Sequence, residues 1–131
     1  MKIAFIEDDP ICYNTIQPLL EDRGHEVLLY KKADNAVDAI ETISKCGVII
    51  LDLMMRLGTK IAPDEANETG IALYKRIRVY APTVRVVVLT AKSKNGVWNE
   101  FEGDKNAFYV EKPVSDFEQF INVVKGERAS E

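Results

Sequence analysis

Four fragments of the 131-residue chain carry side chains suited to charge chemistry, and each follows a run of about strand length. Glu7-Asp8-Asp9 comes after Lys2-Ile3-Ala4-Phe5-Ile6, and Asp52 after Val48-Ile49-Ile50-Leu51. Thr90-Ala91 comes after Val86-Val87-Val88-Leu89, and Lys112-Pro113 after Phe108-Tyr109-Val110. In an open parallel sheet, ligands bind in the crevice beyond the carboxyl ends of the strands. At least three carboxylates facing a lysine in such a crevice suit a divalent cation and an anionic group. That is the chemistry of phosphoryl transfer to an aspartate.

Singly, each fragment has an ordinary structural reading. Acidic residues favour the positive end of a helix dipole, a strand-end aspartate often forms a turn, and Lys-Pro is a turn signal. Thr90 alone is a β-branched strand residue. Three consecutive acids exceed the needs of a helix end, however, and repel one another unless a cation compensates. The joint pattern favours a site, because all four fragments fall at the same end of different strands.

The elements that must position these residues follow from the apolar runs. Strands are expected at 2–6, 26–30, 47–51, 84–89 and 107–110. The first four are nearly continuous in apolar residues, as in a parallel sheet covered on both faces. Helical patterns lie between them. Asp9 is expected to cap the first helix, with Pro10 in its first turn, Cys12, Ile16, Leu19 and Leu20 inward, and Gly24 after its end. Pro18 is expected to kink or strain it. Asp34 is expected to cap a second helix burying Ala36, Val37, Ile40 and Ile43. A third is expected over 69–79 with Leu73, Tyr74 and Ile77 on one side, and a weak fourth near 94–102. In the fifth, Ser115 and Glu118 form a capping box, and Phe117, Phe120, Ile121 and Val124 repeat at helical spacing. The repeated β-α order predicts an α/β fold, a doubly wound five-stranded parallel sheet with helices on both faces. The segment 53–68 has no periodicity, and irregular loops of that length tend to be functional or mobile.

Bulk properties narrow the class. The length fits one domain with a core that needs no staples. The net charge of −4 lacks the basic excess of a nucleic-acid surface. No 18-residue apolar stretch exists to span a membrane, and the N-terminus enters a strand without a signal-peptide layout. Cys12 and Cys46 lack metal-ligand spacing and read as buried free thiols, which suits a cytoplasmic location.

The acid pair Glu7-Asp8, the aspartate in Leu51-Asp52-Leu53-Met54, Thr90-Ala91 and Tyr109-Val110-Glu111-Lys112-Pro113 resemble the motifs of response-regulator receiver domains in two-component signalling. The steps of 44 residues from Asp8 to Asp52 and 22 from Thr90 to Lys112 fit that family as well. The resemblance covers residues 2 to about 125. It implies a flavodoxin-like receiver fold over residues 1–126, with 127–131 a polar tail that frays. It implies that Asp52 accepts a phosphoryl group from a phosphohistidine donor. Glu7, Asp8, Asp52 and the carbonyl of Met54 would hold Mg2+, with Asp8 the direct ligand of the acid pair and Glu7 acting through water. Thr90 and Lys112 would contact the phosphoryl group, and the Tyr109 rotamer would follow Thr90. Trp98 and Tyr109 would sit at the partner surface.

The expected activity is that of a phosphorylation-dependent switch rather than an enzyme. Its expected partners are a histidine kinase or phosphotransfer protein and a downstream protein target, with no nucleic acid or membrane, as a monomer or weak dimer. With no output module expected after residue 126, the expectation is a stand-alone receiver, acting by protein contact or onward phosphoryl transfer. The alternative is a phosphorylation-independent adaptor on the same fold; the intact acid pair, Asp52, Thr90 and Lys112 speak against it. A flavin carrier or small phosphatase is disfavoured because no phosphate-binding loop follows the first strand. Three features depart from the family: the long loop after Met54, Pro18 in the first helix, and the loosely matching turn 103–107. Acids Asp64, Glu65 and Glu68 of that loop are expected in solvent rather than at the metal.

Overall fold

The computed structural model describes residues 1–66 and 68–126. Asn67 of the long loop and the expected tail 127–131 lie outside them. Among the described residues, β1 (Lys2–Ile6), β2 (Glu26–Tyr30), β3 (Val48–Leu51), β4 (Arg85–Thr90) and β5 (Ala107–Glu111) form one sheet in the order β2-β1-β3-β4-β5. Every pairing is parallel. This is the expected doubly wound architecture, and its strand order is that of the flavodoxin-like receiver fold.

Successive side chains of a strand point to opposite faces, so an apolar run feeds two cores at once. Ile3 and Phe5 of β1, Val48 and Ile50 of β3, and Val87 and Leu89 of β4 point to one face. There they meet α1 (Pro10–Asp22) through Ile16 and Leu20, and α6 (Phe117–Lys125) through Phe120, Ile121 and Val124. Ala4, Ile6, Ile49, Leu51, Val86 and Val88 point to the other face. That layer holds α2 (Ala33–Asp38), α3 (Ile40–Ser44), α4 (Thr69–Tyr80) and the single turn α5 (Lys94–Val97), followed by a 3-10 turn over Trp98–Glu100. Fully burying each Ile, Leu or Phe is worth roughly 2 kcal/mol.

Helix ends depart from expectation in three places. Asp9 does cap α1, its carboxylate accepting from the Ile11 N–H at 3.0 Å, with Pro10 as the first helical residue. Pro18 does not interrupt the helix. It is exposed, as is Asn14, whose carbonyl loses its helical donor, so water reaches the freed acceptor. Asp34, however, is no cap. α2 begins at Ala33 after Lys32, and the Asp34 carboxylate instead binds the backbone of Thr59 and Lys60. The helical ladder also breaks at Ala39 (φ −103°, ψ 19°), so the single helix expected there is two short ones. At α6 the cap is Asp116, which accepts from the Gln119 N–H at 3.0 Å, and not Ser115. Glu118 therefore makes no capping box; it pairs with Arg23 at 2.5 Å.

Candidate functional site

Ladder bonds that continue past the strand ends place the polar residues. The Glu7 N–H donates to the Tyr30 carbonyl at 3.0 Å, and the Asp52 N–H to the Ile6 carbonyl at 3.1 Å. The Lys112 N–H donates to the Thr90 carbonyl at 2.8 Å. Backbone geometry alone thus brings Glu7, Asp52, Thr90 and Lys112 to the carboxyl edge of the sheet. The Lys112–Pro113 peptide is cis.

Glu7, Asp52 and Thr90 are the buried polar residues of the described chain, at 0%, 4% and 0% exposure. Buried charge is tolerated only when paired. The Lys112 ammonium supplies the pairing: it donates to Asp52 Oδ2 at 3.0 Å and forms an ion pair with Glu7 Oε1. The other Glu7 oxygen accepts from the Asp8 and Asp9 N–H groups at 3.1 and 3.3 Å. Asp52 Oδ1 accepts from the Met54 N–H at 3.1 Å. Burial, with help from Asp52, pushes the Glu7 carboxyl up to about 7, against the downward pull of Lys112 and Cys12. Burial works to lower the Lys112 ammonium, yet Glu7 and Asp52 outweigh it and hold Lys112 above its ordinary range. Burial and the neighbouring Glu7 push the Cys12 thiol up.

Glu7, Asp8 and Asp52 each offer a carboxylate oxygen, and these atoms lie within 4.8 Å of one another. An all-oxygen set of hard donors fits Mg2+ or Ca2+ and not a soft metal. Glu7 has both oxygens engaged inside the protein, whereas Asp8 is only half-buried. One Asp8 oxygen accepts from the Arg56 N–H at 3.0 Å. Met54 is half-exposed at 49%, with its N–H turned to Asp52.

On the far side of Asp52, Thr90 Oγ1 accepts from the Lys92 N–H at 3.2 Å. The Tyr109 hydroxyl donates to the Lys92 carbonyl at 2.5 Å, and the Trp98 ring meets Tyr109 edge-on with centroids 6.1 Å apart. Thr90, Lys92 and Tyr109 therefore form one hydrogen-bonded string, with Trp98 half-buried beside it. Beside Lys112, α1 and the turn into α6 border a cleft of about 340 Å³ lined in part by Ile11, Cys12, Val114 and Phe117. Ile11 and Phe117 are exposed there.

The expected site residues Glu7, Asp8, Asp52, Thr90 and Lys112 thus converge, with Tyr109 and Met54 at the margins. Two neighbours of the site, Cys12 and Arg56, escaped the reading of the sequence. Cys12 lies against Glu7; its signal was an inward position one turn past the helix cap. Arg56 reaches Asp8 through its backbone, which no residue type announces. Glu68 pairs with Lys92 and Glu65 with Arg76, so both are tied to cations, and neither belongs to the carboxylate cluster.

Residues 3–125 match the family model of the response regulator receiver domain. Two curated relatives, each named transcriptional regulatory protein DltR, from Streptococcus agalactiae serotypes III and V, are 28% identical over 94 residues. That stretch is 72% of this chain but 37% of the relatives' length. Among solved structures, a two-component response regulator from Clostridium difficile has TM-score 0.75 and 23% identity, covering 96% of this chain and 93% of its own. A Vibrio cholerae chemotaxis protein has TM-score 0.76 and 18% identity, covering 95% and 96%. A Burkholderia pseudomallei response regulator, described with a phosphorylated aspartic acid, a calcium ion and citrate, has TM-score 0.73 and 22% identity, covering 94% and 65%. No described helix is long and apolar enough to cross a membrane.

Proposed function

The chain belongs to the response regulator receiver domain family of two-component signalling, and from that premise we propose that Asp52 is its phosphoryl acceptor. The observation that carries this reading is the setting of the Asp52 carboxylate. It lies between a lysine ammonium at 3.0 Å and two further carboxylates within 4.8 Å. A carboxylate is a competent nucleophile for covalent capture. An Asp52 oxygen bonds to phosphorus while the bond from phosphorus to a phosphohistidine nitrogen breaks. Lys112 and the Thr90 hydroxyl then take the incoming phosphoryl oxygens. Asp8, Asp52 and the Met54 carbonyl would hold Mg2+, with Glu7 through water. Bound there, the ion would offset the acidity of the pocket and supply positive charge for the developing transition state. The phosphorylated aspartate and calcium ion of the Burkholderia pseudomallei protein support the same assignment.

The output follows from the string beyond Thr90. A dianion arriving at Asp52 accepts from the Thr90 hydroxyl and draws it toward the phosphoryl group, which pulls on the bond that Thr90 Oγ1 accepts from the Lys92 N–H, and Tyr109 hangs on the Lys92 carbonyl. The face around Tyr109, Trp98 and α5 is then the surface a downstream protein reads. A histidine kinase or phosphotransfer protein would deliver the phosphoryl group past the exposed Ile11 and Phe117 beside Lys112. The setting proposed is cytoplasmic, with the protein a monomer or weak dimer.

The test is intact mass after incubation with Mg2+ and acetyl phosphate. One phosphoryl adduct is expected on the wild type and none on Asp52→Asn. An adduct that persists in Asp52→Asn would overturn the assignment.

A further inference from the structure

The stretch that follows Asp52 is long, yet part of it is tightly held by a residue outside the acid cluster. Asp34 lies in the first turn of α2. Its two oxygens accept from the Thr59 N–H at 2.9 and 3.0 Å, from the Thr59 hydroxyl at 2.8 Å and from the Lys60 N–H at 2.8 Å. The Lys60 N–H and Thr59 hydroxyl hold the carboxyl below its usual range. Gly58 has φ +60°, and a Cβ built on it would lie 2.6 Å from Asp34 Oδ1. The turn is therefore wrapped around one carboxylate, and only glycine allows so close an approach. Two residues earlier, the Arg56 N–H donates to Asp8 Oδ2 at 3.0 Å. Leu57 between them is partly buried against the core, and Met55 just before is buried. Residues 56–60 thus form a short bridge from Asp34 to Asp8.

We infer that Asp34 is a positioning residue for the acceptor site: through the turn 56–60 it holds the Arg56 N–H on Asp8 and sets how that carboxylate meets a divalent cation. This rests on the reading of Asp8 as a cation ligand. A ligating carboxylate is oriented by the donors on its other oxygen, and losing such a donor typically weakens metal binding about 10–100-fold. Asp34 acts one step further out. Two outer supports, the Lys60–Asp38 ion pair at 3.1 Å and the Arg76 bond to the Lys60 carbonyl at 3.1 Å, act on Lys60 at one end of the turn. The expected effect is accordingly smaller.

The experiment compares Asp34→Ala, Gly58→Ala and the double variant with the wild type. The first removes the carboxylate, and the second pushes the turn off it from the other side. Amide exchange at Arg56, Thr59 and Lys60 is read together with Mg2+ titration of the Asp8 and Asp52 amide signals. Each single variant is expected to speed exchange at all three amides roughly tenfold. Each is also expected to weaken Mg2+ about 3- to 10-fold, below the range for a direct outer-shell donor. Both act through one clamp, so the double variant should match the singles rather than multiply their effects. Asp34→Asn, which keeps one acceptor oxygen, should fall between. Faster exchange at Thr59 and Lys60, with Arg56 exchange or Mg2+ affinity unchanged, would reduce Asp34 to a local surface clamp and overturn the inference. Multiplying effects would do the same. A wild type that binds no Mg2+ would instead fail the reading of the acid pocket. Arg56 exchange would then decide only whether Asp34 holds Asp8: unchanged exchange in Asp34→Ala overturns that, and faster exchange upholds it.

Discussion

The pocket around Asp52 has two walls built by different physics. One wall, made of Glu7, Thr90 and Lys112, stands on the ends of strands. Two extended ladder bonds fix its backbone, and its charges pair largely shielded from water. The other wall, the stretch from Arg56 to Glu68, contains no regular element among its described residues. It is held by side-chain clamps on backbone, Asp34 on Thr59 and Lys60, and by surface pairs such as Glu65 with Arg76. Charge interactions strengthen in a low dielectric and fade in water. The first wall is therefore stiff, costly to disturb and sensitive to pH. The second is cheap to disturb, and its grip on the site is a matter of geometry.

The sharpest way to break this contrast is Lys112→Met. It removes the one ammonium shared by Glu7 and Asp52 and leaves a fully buried carboxylate without its partner. Removing one member of a buried pair costs about 3–5 kcal/mol, and the lower figure is expected at pH 8 because the Lys112 side chain is 13% exposed. At pH 5 the cost should shrink, since Glu7 can take a proton. Urea unfolding at the two pH values measures both. A loss under about 1 kcal/mol at pH 8 would mean that the buried wall is no stiffer than the exposed one.

Gly70→Ala probes where the two walls meet. Gly70 lies in the first turn of α4, and its N–H donates to the Leu53 carbonyl at 3.0 Å. Alanine normally improves a helix interior by about 1 kcal/mol over glycine. Here the added Cβ would come within 2.3 Å of Leu53 Cα and 2.4 Å of the Asp52 carbonyl oxygen. Both obstacles are backbone, so α4 or the end of β3 must shift. A net loss of about 2 kcal/mol in thermal or urea unfolding is expected. Gained stability would show that α4 has freedom the close contact denies it.

The contrast also accounts for what was legible in the sequence. The buried wall was legible because strand ends follow from apolar runs, and Asp52, Thr90 and Lys112 are read off those ends. The exposed wall was not. Asp34 has the residue type of a helix cap, and its actual partner lies 25 residues away on a stretch without periodicity. Ser115 and Asp116 are both capping types, and composition does not choose between neighbours; Glu118 was drawn off by Arg23, 95 residues distant. The Arg56 contact with Asp8 is made by a backbone N–H, which every residue but proline possesses. Local patterns reveal local bonds, and the second wall is built almost wholly of distant ones.

A third prediction concerns pH. Glu7 is raised from its ordinary 4.5 to about 7 in the folded protein. Between those values folded Glu7 holds more protons than it does in the unfolded chain, so its contribution to stability falls as pH rises from 4.5 to about 7 and levels off above. The slope is at most about 1.4 kcal/mol per pH unit. Lys112, whose folded value is raised, contributes stability that is lost only above its unfolded 10.5, outside this window. Glu7→Gln should flatten the slope seen in unfolding titrations of the metal-free protein. A slope unchanged in Glu7→Gln would move the titrating group elsewhere.

The smallest effect is expected from Lys60→Met, and its smallness is the point. Lys60 Nζ lies 3.1 Å from Asp38 Oδ1, with side-chain exposures of 49% and 60%. Exposed pairs of this kind contribute about 0.2–1 kcal/mol and are screened by salt. The Lys60 main chain keeps its own bonds, donating to Asp34 and accepting from Arg76, so the substitution removes the side-chain pair and leaves the turn clamped. A loss of about 0.3 kcal/mol is expected in low salt, vanishing near 1 M. Arg56 amide exchange should remain at the wild-type rate, in contrast with Asp34→Ala. If Lys60→Met cost more than about 1 kcal/mol, or freed the Arg56 amide, surface charge rather than the Asp34 clamp would be holding the second wall.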